Sequence, residues 1–382
     1  MRHLLVTNDF PPKVGGIQSY LYELWRRLPP ESFTVLTTPH PAAAAFDAAQ
    51  PFPVRRVSAP MLWPTPGTVL QVRRLAARTG AQLVVLDPGL PVGLIGPRLG
   101  LPYLVVLHGA EVTVPRRLPG VRRALRHVLV NAAGVVAAGG FPASEARRLA
   151  GEQLPPITVV PPGVDPGRFH PLAGDERARA RARLGLPVDA RLVASVSRLV
   201  PRKGMDTLID AAALLAPDRP DLVVAIAGQG RDQARLARRV AATRAPVHLT
   251  GPLGEEDKAL LYGAADVFAL LCRSRWVGFE QEGFGAVFLE AAAAGVPQVA
   301  GRSGGTDEAV LDDTTGVVVD RPSDVRTSAS ALAGLLDDPA RRERLGRAAR
   351  ARVESELNYD RLVGTLAEAL AQGANGRRPA GR

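Results

Sequence analysis

Residues Arg191–Gly204 read Arg-Leu-Val-Ala-Ser-Val-Ser-Arg-Leu-Val-Pro-Arg-Lys-Gly, and this stretch indicates the fold class. Its first half is the short apolar run of a buried strand, and a helical pattern begins near Met205. Arg198 and Lys203 therefore fall in the loop after a strand. Ligands of open α/β sheets bind at the carboxyl ends of strands, so two cations there suit a diphosphate. The alternative is an ordinary pair of solvated cations.

Strand-like runs recur along the whole chain and alternate with helical patterns, which is typical of parallel sheets covered by helices on both faces. The predicted strands lie near residues 3–7, 33–37, 53–57, 82–86, 103–107, 134–137, 157–160, 191–197, 222–227, 246–250, 266–271, 296–300 and 316–319. With 382 residues the chain is too long for one ordinary core, so this α/β protein should have two domains. The prolines of Pro161–Pro171 mark the boundary, because they extend neither helix nor strand.

Two carboxylates stand eight residues apart in Glu282–Glu290, which reads Glu-Gly-Phe-Gly-Ala-Val-Phe-Leu-Glu. The Gly-x-Gly turn would expose backbone N–H groups at a helix start, which suits a phosphate or a sugar hydroxyl. Glu282 would lie beside those donors, and Glu290 about two turns further along the helix. A carboxylate can accept two neighbouring hydroxyls of a polyol at once. The alternative is a helix with an acidic start and one solvated glutamate.

A similar glycine-bearing loop occurs near the N-terminus. The strand-like run His3–Thr7 leads into Asn8-Asp-Phe-Pro-Pro-Lys-Val-Gly15-Gly16 and a helix predicted from Ile17 to Leu28. The loop again feeds a helix N-terminus, where backbone N–H groups are available to an anion.

Together these motifs resemble those of glycosyltransferase family 4, the retaining enzymes of the GT-B fold. The chain carries Gly15-Gly16, the segment His108-Gly-Ala-Glu111, Arg198 with Lys203, and Glu282-x7-Glu290, in the family's order and spacing. The resemblance covers nearly the whole chain. It implies two Rossmann-like parallel-sheet domains that face a central cleft.

Three further segments resemble one group within that family. Asn8–Tyr20, Arg273–Gly285 and Ala300–Gly305 are similar to segments of the actinobacterial phosphatidylinositol mannoside mannosyltransferases. This resemblance implies transfer of mannose from GDP-mannose to the α-1,6 position of inositol in a phosphatidyl-myo-inositol mannoside. Such a reaction belongs to the synthesis of cell-envelope glycolipids.

The resemblance also implies a role for each domain. Residues 1–165 would bind the acceptor, and residues 166–357 would bind the nucleotide sugar. In GT-B enzymes the final helix, predicted here over 358–371, crosses back onto the N-terminal domain. Residues 373–382 are predicted to form a disordered tail.

Site roles follow from the same resemblance. Arg198 and Lys203 would bind the diphosphate and stabilise the charge that grows as the sugar leaves, and Glu282 would hold sugar hydroxyls. His108 would reach the sugar from the N-terminal domain and would, with these three, form the catalytic set. The other expected donor contacts are Gly16 against the phosphates, Gly228, the backbone of Gly283, Phe284 and Gly285, and Glu290 on the nucleotide ribose. Gln18 would contact the acceptor.

Retention of configuration is implied by the family and is not visible in the sequence, since no residue stands out as a nucleophile. The family's commonly proposed route is front-side attack, in which the leaving phosphate takes the proton of the acceptor. That route requires positive charge around the diphosphate. The sequence contains no Asp-x-Asp motif, so we expect neither a divalent metal nor another cofactor.

Charge suggests an anionic membrane as a partner. The net charge is +11, and residues 1–165 contain 17 basic and 9 acidic side chains. A helix is predicted after Pro119 with one apolar face, formed by Val121, Leu125, Val128 and Leu129. Off that face lie Arg122, Arg123 and Arg126, and a second helix carries Arg73, Arg74 and Arg78. Basic amphipathic helices are typical of anionic membrane surfaces, although an arginine-rich surface helix is the alternative.

The cysteine content, the length of apolar runs and the aromatic content limit the compartments and partners that are possible. Cys272 is the only cysteine, which excludes a disulfide framework and favours a reducing cytosol. No apolar run reaches 18 residues, so we expect a cytoplasmic protein that is peripheral on the inner face of the membrane. Nucleic acid is disfavoured, because only 5% of residues are aromatic and no recognised binding motif occurs.

Rival functions remain open at this point. Gly228-Gln-Gly230 follows an apolar strand, as in dinucleotide oxidoreductases, but residue 233 is Gln and the full G-x-G-x-x-G motif is absent. A nucleotide-sugar epimerase on the same fold would act without an acceptor. A family 4 enzyme that uses another nucleotide sugar or a soluble acceptor is the third alternative.

Overall fold

The computed structural model describes residues 1–109, 112 and 118–376. Three sequence expectations therefore fall partly outside the described residues. They concern Ala110 and Glu111 of the segment that begins at His108, residues 114–117 ahead of the basic helix, and the tail over 377–382.

The first sheet has seven strands, and every neighbouring pair runs parallel. Its strands are β1 His3–Thr7, β2 Phe33–Thr37, β3 Val54–Arg56, β4 Leu83–Asp87, β5 Tyr103–Leu107, β6 Gly134–Ala137 and β7 Ile157–Val159. Their order across the sheet is β3-β2-β1-β4-β5-β6-β7. The strand order reverses between β1 and β4, which is where ligands of doubly wound sheets bind.

The second sheet repeats this arrangement with six parallel strands. They are β8 Arg191–Val196, β9 Leu222–Ala227, β10 Val247–Gly251, β11 Val267–Leu270, β12 Gln298–Gly301 and β13 Gly316–Val319. Their order is β10-β9-β8-β11-β12-β13, so the reversal lies between β8 and β11.

Helices follow most strands, as crossover connections between parallel strands require. In the first half they are α1 Gly16–Trp25, α2 Ala43–Ala48, α3 Pro66–Thr79, α4 Pro119–Val130 and α5 Gly140–Ala150. The later helices are α6 Gly174–Arg183, α7 Met205–Leu215, α8 Gln233–Thr243, α9 Glu255–Ala264, α10 Ala286–Ala293, α11 Thr306–Ala309, α12 Val325–Leu336, α13 Pro339–Glu356 and α14 Tyr359–Asn375. Among the helices of the described ranges, none combines the length and the apolarity needed to cross a bilayer.

Side-chain alternation in β1 explains why the first sheet is covered on both faces. Leu4 and Val6 belong to one buried cluster, whereas Leu5 between them belongs to another. Successive side chains of a strand point to opposite faces. All three residues are fully buried, so both faces of β1 are packed. The sequence therefore reads as a continuous apolar run, as the strand prediction assumed.

Residue contacts divide the chain into two compact units. The first comprises Met1–Pro162 and Tyr359–Arg382, and the second comprises Gly163–Asn358. Helix α14 belongs to the first unit, where Arg27 Nε lies 2.7 Å from Asp360 Oδ1. The expectation of two Rossmann-like parallel sheets is confirmed, while the binding role assigned to each domain stays a prediction.

The end of the last helix differs from the sequence expectation. A tail was expected from residue 373, but α14 continues through Asn375. Gly373 is buried against Leu104, and a Cβ on this glycine would lie 2.7 Å from Leu104 Cδ2. The helix continues because a residue without a side chain lets it pack closely on β5.

Candidate active site

The loops that follow β8 and β11 carry the main cluster of candidate residues. A short 3₁₀ turn, Pro201–Lys203, follows β8, and Gly204 then starts α7 with a φ of 69°. A Cβ on Gly204 would lie 2.0 Å from the carbonyl oxygen of Leu271, at the end of β11. Glycine is therefore required here both for the left-handed conformation and for the close approach of the two loops.

Lys203 and Glu282 are brought together although 79 residues separate them in the chain. Nζ of Lys203 donates to Oε2 of Glu282 at 2.5 Å, and both side chains are buried. Arg202 donates to the same oxygen at 2.9 Å. The thiol of Cys272 lies 3.4 Å from it. Three groups thus converge on one carboxylate oxygen.

The two cations keep the Glu282 carboxylate ionised. Burial alone would raise the pKa of Glu282, but Lys203 and Arg202 outweigh it and lower that pKa to about 2. The pKa of the neighbouring Cys272 thiol is raised, because the thiol is buried and lies next to the Glu282 carboxylate. Cys272 is therefore a neutral thiol at neutral pH and not a nucleophile.

The second oxygen of Glu282 is in a different situation. Oε2 accepts from Lys203, Arg202 and Cys272, whereas Oε1 accepts from no residue within the described part of the chain. An ionised carboxylate offers about four lone-pair sites. One oxygen is thus held by the protein, and the other can accept a hydrogen bond from a ligand.

A glycine-rich turn supports the backbone of Glu282. The amide N–H of Glu282 donates to Oγ of Ser303 at 3.2 Å, and its carbonyl accepts from Gly305 at 3.1 Å. A Cβ on Gly304 would lie 2.0 Å from that carbonyl oxygen. Any side chain at position 304 would therefore displace Glu282.

Helix α10 begins directly after the candidate carboxylate. Gly285 precedes its first residue with a φ of 92°, and no side chain caps the helix start. The first turn of a helix has backbone N–H groups without partners inside the helix, so this end attracts anions and hydroxyl oxygens. Phe284 is buried and anchors the turn. Gly283, Phe284 and Gly285 directly precede this helix start, and their predicted backbone contacts stay a prediction.

Arg198 is exposed, unlike Lys203. Across the residues described, its guanidinium has neither an ion-pair nor a hydrogen-bond partner. Gly228, at the end of β9, has a φ of 133°, and a Cβ there would lie 1.9 Å from the carbonyl oxygen of Ser197. Gly228 thus lets the loops after β8 and β9 approach each other, and its predicted donor contact stays a prediction.

Arg273 fixes the loop that carries Arg202 and Lys203. Its guanidinium binds both oxygens of Asp206, at 2.8 and 2.7 Å, and its Nε donates to the carbonyl of Pro201 at 3.1 Å. Burial would raise the pKa of Asp206, but Arg273 and Arg235 lower it below its usual value. The backbone N–H of Arg273 also donates to the carbonyl of Arg202 at 2.9 Å.

Glu290 lies within α10, where it accepts two hydrogen bonds. Nζ of Lys258 donates to Oε1 at 3.0 Å, and the hydroxyl of Tyr262 donates to Oε2 at 2.6 Å. Burial and the nearby carboxylate raise the pKa of Tyr262 well above its usual value, so the phenol remains the donor. These contacts hold the Glu290 side chain in place, and its contact with ribose stays a prediction.

The first unit has its own polar cluster, at the point where the strand order reverses. Thr7 and Asp87 are paired residues at the ends of β1 and β4, and Oγ1 of Thr7 donates to Oδ2 of Asp87 at 2.7 Å. Nε2 of His108, after β5, lies 2.6 Å from Oδ1 of Asp87. Because a carboxylate only accepts, the hydrogen of this contact lies on Nε2.

Gln18, the predicted contact of the acceptor substrate, is linked to this cluster by a hydrogen bond to Asp9. Nε2 of Gln18 donates to Oδ1 of Asp9 at 2.7 Å, and the backbone N–H of Asp9 donates to Thr7 at 2.8 Å. Burial and the nearby Asp87 raise the pKa of Asp9. The contact of Gln18 with an acceptor stays a prediction.

The two glycines of the first loop differ in the space around them. A Cβ on Gly15 would lie 2.3 Å from Oε1 of Gln18, whereas a Cβ on Gly16 would meet nothing within 4 Å. The protein itself thus uses the space at Gly15. The space at Gly16 remains open, as the predicted phosphate contact requires.

The basic helices expose their arginines but differ from expectation at one apolar residue. Arg122, Arg123 and Arg126 on α4 are exposed, while Leu125, Val128 and Leu129 are buried. Val121, which the sequence analysis placed on the same apolar face, is 37% exposed. It lies in the first turn of α4, a turn ahead of the first buried residue. The exposed apolar surface also includes Trp63, ahead of α3, which the sequence analysis did not single out.

Several contacting residues were missed by sequence reasoning. Arg202 was passed over in favour of Arg198, and Asp87, Thr7 and Ser303 were not considered. Each of these four residues forms a hydrogen bond with a residue at least 20 positions away in the chain. The available signal was positional, because every one lies at or just after the carboxyl end of a predicted strand. In the part of the chain covered by the structure, no group of three His, Cys, Asp or Glu side chains is placed to hold a metal ion.

Comparison with known proteins identifies the family of both halves. Residues 14–168 match the family described as Glycosyltransferase Family 4, and residues 176–352 match the one described as Glycosyl transferases group 1. The fold is similar to that of Anabaena HepE in complex with UDP, with a TM-score of 0.83, 20% identity, and coverage of 97% of this chain and 100% of that one. At that identity the likeness concerns the fold alone.

Two relatives are similar over almost their full lengths. One is the GDP-mannose-dependent monoacylated alpha-(1-6)-phosphatidylinositol monomannoside mannosyltransferase of Corynebacterium glutamicum, 36% identical over 94% of each chain. The other is the GDP-mannose-dependent alpha-(1-6)-phosphatidylinositol monomannoside mannosyltransferase of Mycolicibacterium smegmatis, 38% identical over 99% of each chain. This chain therefore belongs to the family 4 glycosyltransferases of GT-B fold.

Proposed function

We propose that this enzyme transfers mannose from GDP-mannose to a phosphatidylinositol mannoside at the cytoplasmic surface of an anionic membrane. One observation carries the proposal. The two relatives described above, which match at least 94% of each chain, are named as GDP-mannose-dependent mannosyltransferases of a phosphatidylinositol monomannoside. The charged cluster after β8 and β11 has the chemistry that such a donor needs.

The diphosphate of the donor is the proposed ligand of Arg198 and Lys203. Arg198 is exposed and without a protein partner in the described residues, so its charge is available to an anion. The start of α10 adds backbone N–H groups. As the bond between sugar and phosphate breaks, negative charge grows on the leaving diphosphate. A preorganised donor for such charge commonly contributes about 10² to 10³ in rate.

The sugar and the ribose are the proposed ligands of the two glutamates. Oε1 of Glu282 is proposed to accept a sugar hydroxyl while Oε2 is held by Lys203 and Arg202. Glu290, held by Lys258 and Tyr262, keeps lone pairs for the ribose hydroxyls. His108, oriented by Asp87, is proposed to contact a sugar hydroxyl.

No divalent metal is required in this proposal. Arg198 and Lys203 are proposed to neutralise the diphosphate in place of a metal, and the sequence has no Asp-x-Asp motif. With front-side attack, the leaving phosphate oxygen takes the proton of the acceptor hydroxyl as the new glycosidic bond forms, so no nucleophilic side chain is needed.

Lipid surfaces are the proposed location of the acceptor. Arg122, Arg123 and Arg126 are exposed along α4, and Arg74 is exposed on α3. Such arginines are attracted to anionic lipids over roughly 8 to 10 Å at physiological salt. A peripheral attachment of this kind fits an acceptor that is itself a lipid.

A donor and acceptor panel tests the proposal. GDP-, UDP- and ADP-sugars are compared by thermal shift, because a ligand at about 100 times its Kd stabilises the folded state by roughly 2.7 kcal/mol. Transfer is then measured by mass spectrometry with phosphatidylinositol monomannoside in vesicles or with soluble inositol acceptors. We expect GDP-mannose and the lipid acceptor to react. Transfer only to a soluble acceptor, selectivity for another nucleotide, or conversion of the sugar without an acceptor would contradict it.

A further inference from the structure

Arg202 has no assigned role, yet it contacts the central carboxylate of the candidate donor site. Arg202 and Lys203 donate to the same oxygen of Glu282, at 2.9 and 2.5 Å. A single buried carboxylate is balanced by one cation, so the second needs an explanation. Arg202 does not face the solvent freely, because its side chain is 18% exposed.

In the proposed function, the single charge of Lys203 has to serve two groups, the Glu282 carboxylate and the diphosphate. In this structure its ammonium contacts Glu282, and in the reaction it is needed at the diphosphate. When it turns to the diphosphate, a buried carboxylate loses part of its compensation, which is costly unless another cation stays. Arg202 is the cation that can stay, since its guanidinium already binds Oε2.

The surroundings of Arg202 fix it in this position. Its Nη1 also donates to the carbonyl of Gln281 at 3.3 Å, next to Glu282. Its own carbonyl accepts from the backbone of Arg273 at 2.9 Å, and Arg273 is clamped on Asp206. Arginine presents a rigid planar fork, whereas lysine is a point charge on a flexible stem. The division of roles between the two residues follows from this difference.

We propose that Arg202 is a positioning residue of the donor site. It holds Oε2 of Glu282, so that Oε1 stays available to the sugar, and it compensates the carboxylate when Lys203 moves to the diphosphate. This inference rests on the proposed function and deepens it.

The pH dependence of activity distinguishes this role from a merely structural one, because it depends on the protonation of Glu282. The ionisable groups that face its carboxylate are Lys203 and Arg202 from the loop after β8 and Cys272 from the end of β11. Burial raises the pKa of Glu282, and the two cations lower it. Without Arg202, and with Lys203 engaged by the diphosphate, that pKa should rise towards the range in which activity is assayed.

The first experiment compares Arg202→Gln with Arg202→Lys. Arg238→Gln, which removes an exposed arginine on α8, is the matched control. The Kd for GDP and the kcat for GDP-mannose are measured between pH 5 and pH 8. For Arg202→Gln we expect kcat to fall about tenfold at pH 7.5 and further on acidification, with the Kd for GDP changed less than about threefold. Arg202→Lys should recover much of the kcat. Like the wild type, it should also lose little kcat as the pH is lowered.

Three outcomes would overturn the inference. They are an unchanged kcat and pH profile for Arg202→Gln, a Kd for GDP that rises as much as kcat falls, and an Arg202→Lys variant as impaired as the glutamine variant. The first would remove the role altogether. The second would make Arg202 a direct diphosphate ligand, and the third would mean that compensation of charge is not what Arg202 supplies.

A second experiment needs no substrate and separates this inference from the proposed function. Lys203→Met imitates the departure of the ammonium, and Arg202→Gln is added to it. Because Arg202 should then be the last cation on a buried carboxylate, we expect the double variant to lose more in Tm than the two single variants together. Additive losses would refute the compensation by Arg202. A wild-type protein that binds no GDP would refute only the proposed function.

Discussion

Nε2 of His108 lies 2.6 Å from Oδ1 of Asp87, and the carboxylate that accepts this hydrogen bond is fully buried. The contact fixes the imidazole ring in orientation and in the nitrogen that carries hydrogen. Tyr20 adds a second restraint, since its ring meets that of His108 edge-on at 5.3 Å. The ring of His108 is therefore held by one polar and one aromatic contact within the first unit.

Asp87→Asn tests whether this orientation matters. The asparagine has the same shape but can turn its NH2 group towards His108. That group is a donor, so Nε2 would have to accept and the ring hydrogen would move to Nδ1. We expect kcat/KM for mannose transfer to fall at least about tenfold, while GDP binding to the second unit is unchanged. Asp47→Asn, which weakens only the ion pair with Arg56, is the control. Equal activity of the two variants would exclude a role for the Asp87 contact.

Arg198→Ala and Lys203→Ala should each lower turnover by about 10² or more, because both remove charge from the proposed diphosphate site. The structure separates their effects on stability. Arg198 is exposed, so its replacement should leave the Tm unchanged, whereas Lys203 is buried against Glu282 and its loss should lower the Tm.

Turnover at saturating GDP-mannose and thermal unfolding are measured for both variants, with Arg238→Ala as an exposed control. Near wild-type turnover in both would mean that the diphosphate binds elsewhere. Unfolding of Lys203→Ala would leave Arg198→Ala as the deciding variant.

Much of the fold was predictable because it depends on local patterns. All thirteen strand positions were predicted, and the two Rossmann-like sheets and the glycosyltransferase family are confirmed. Buried parallel strands read as apolar runs, and the loops after them carry glycines. The predicted end of α14 was wrong. The close packing of Gly373 on Leu104 is a tertiary contact, and a helical sequence pattern does not contain it.

The site was predictable only in part, for the same reason. Arg198 and Lys203 are close in the sequence, so the expectation gave them one role. The structure gives them different surroundings, since Lys203 is buried on Glu282 and Arg198 is exposed. Asp87 could not be linked to His108, because 21 residues separate them and their contact arises only when β4 and β5 pair.

Chelation tests the proposal that the chain's own cations serve the diphosphate. We expect activity with GDP-mannose to remain within about twofold after treatment with EDTA. The physical reason is that Arg198, Lys203 and the start of α10 already provide positive charge and N–H donors at the proposed site. Activity is measured before chelation, after chelation and after addition of Mg²⁺ or Mn²⁺. Loss on chelation with recovery on either metal would contradict the proposal.

His3 should make the stability of the first unit depend on pH. Its Nε2 accepts from Nε1 of Trp25 at 3.0 Å, and burial, with the nearby positive N-terminus, lowers the pKa of His3 from 6.5 to about 4. The folded state therefore takes up a proton less readily than the unfolded chain. Stability is complete above pH 6.5 and is lost as the pH falls towards 4, by roughly 3 kcal/mol in total.

Thermal unfolding measured between pH 4 and pH 8 checks this dependence. His3→Gln keeps an acceptor near Trp25 but removes the titrating ring, so its Tm should fall less steeply between pH 6.5 and pH 4. His248→Gln changes an exposed histidine and should behave like the wild type. Parallel curves for His3→Gln and wild type would show that another group controls the acid loss.

Binding to anionic vesicles should depend on the exposed arginines of the first unit. The triple change of Arg122, Arg123 and Arg126 to Gln removes the basic face of α4 without touching its buried residues. Each arginine near an anionic surface contributes about 1 kcal/mol, and the attraction is screened over roughly 8 to 10 Å at physiological salt. We therefore expect co-sedimentation with anionic vesicles to fall steeply in this variant and with added salt.

The matched control removes the same charge from the second unit, by changing the exposed Arg238, Arg326 and Arg347 to Gln. If net charge alone drove attachment, both triple variants would lose binding equally. If α4 is the contact, only its variant loses binding, and its affinity for GDP stays that of the wild type because α4 carries none of the proposed donor residues. Equal binding to neutral and anionic vesicles, or none to either, would favour a soluble acceptor. A loss confined to the α4 variant would place the lipid surface on the first unit.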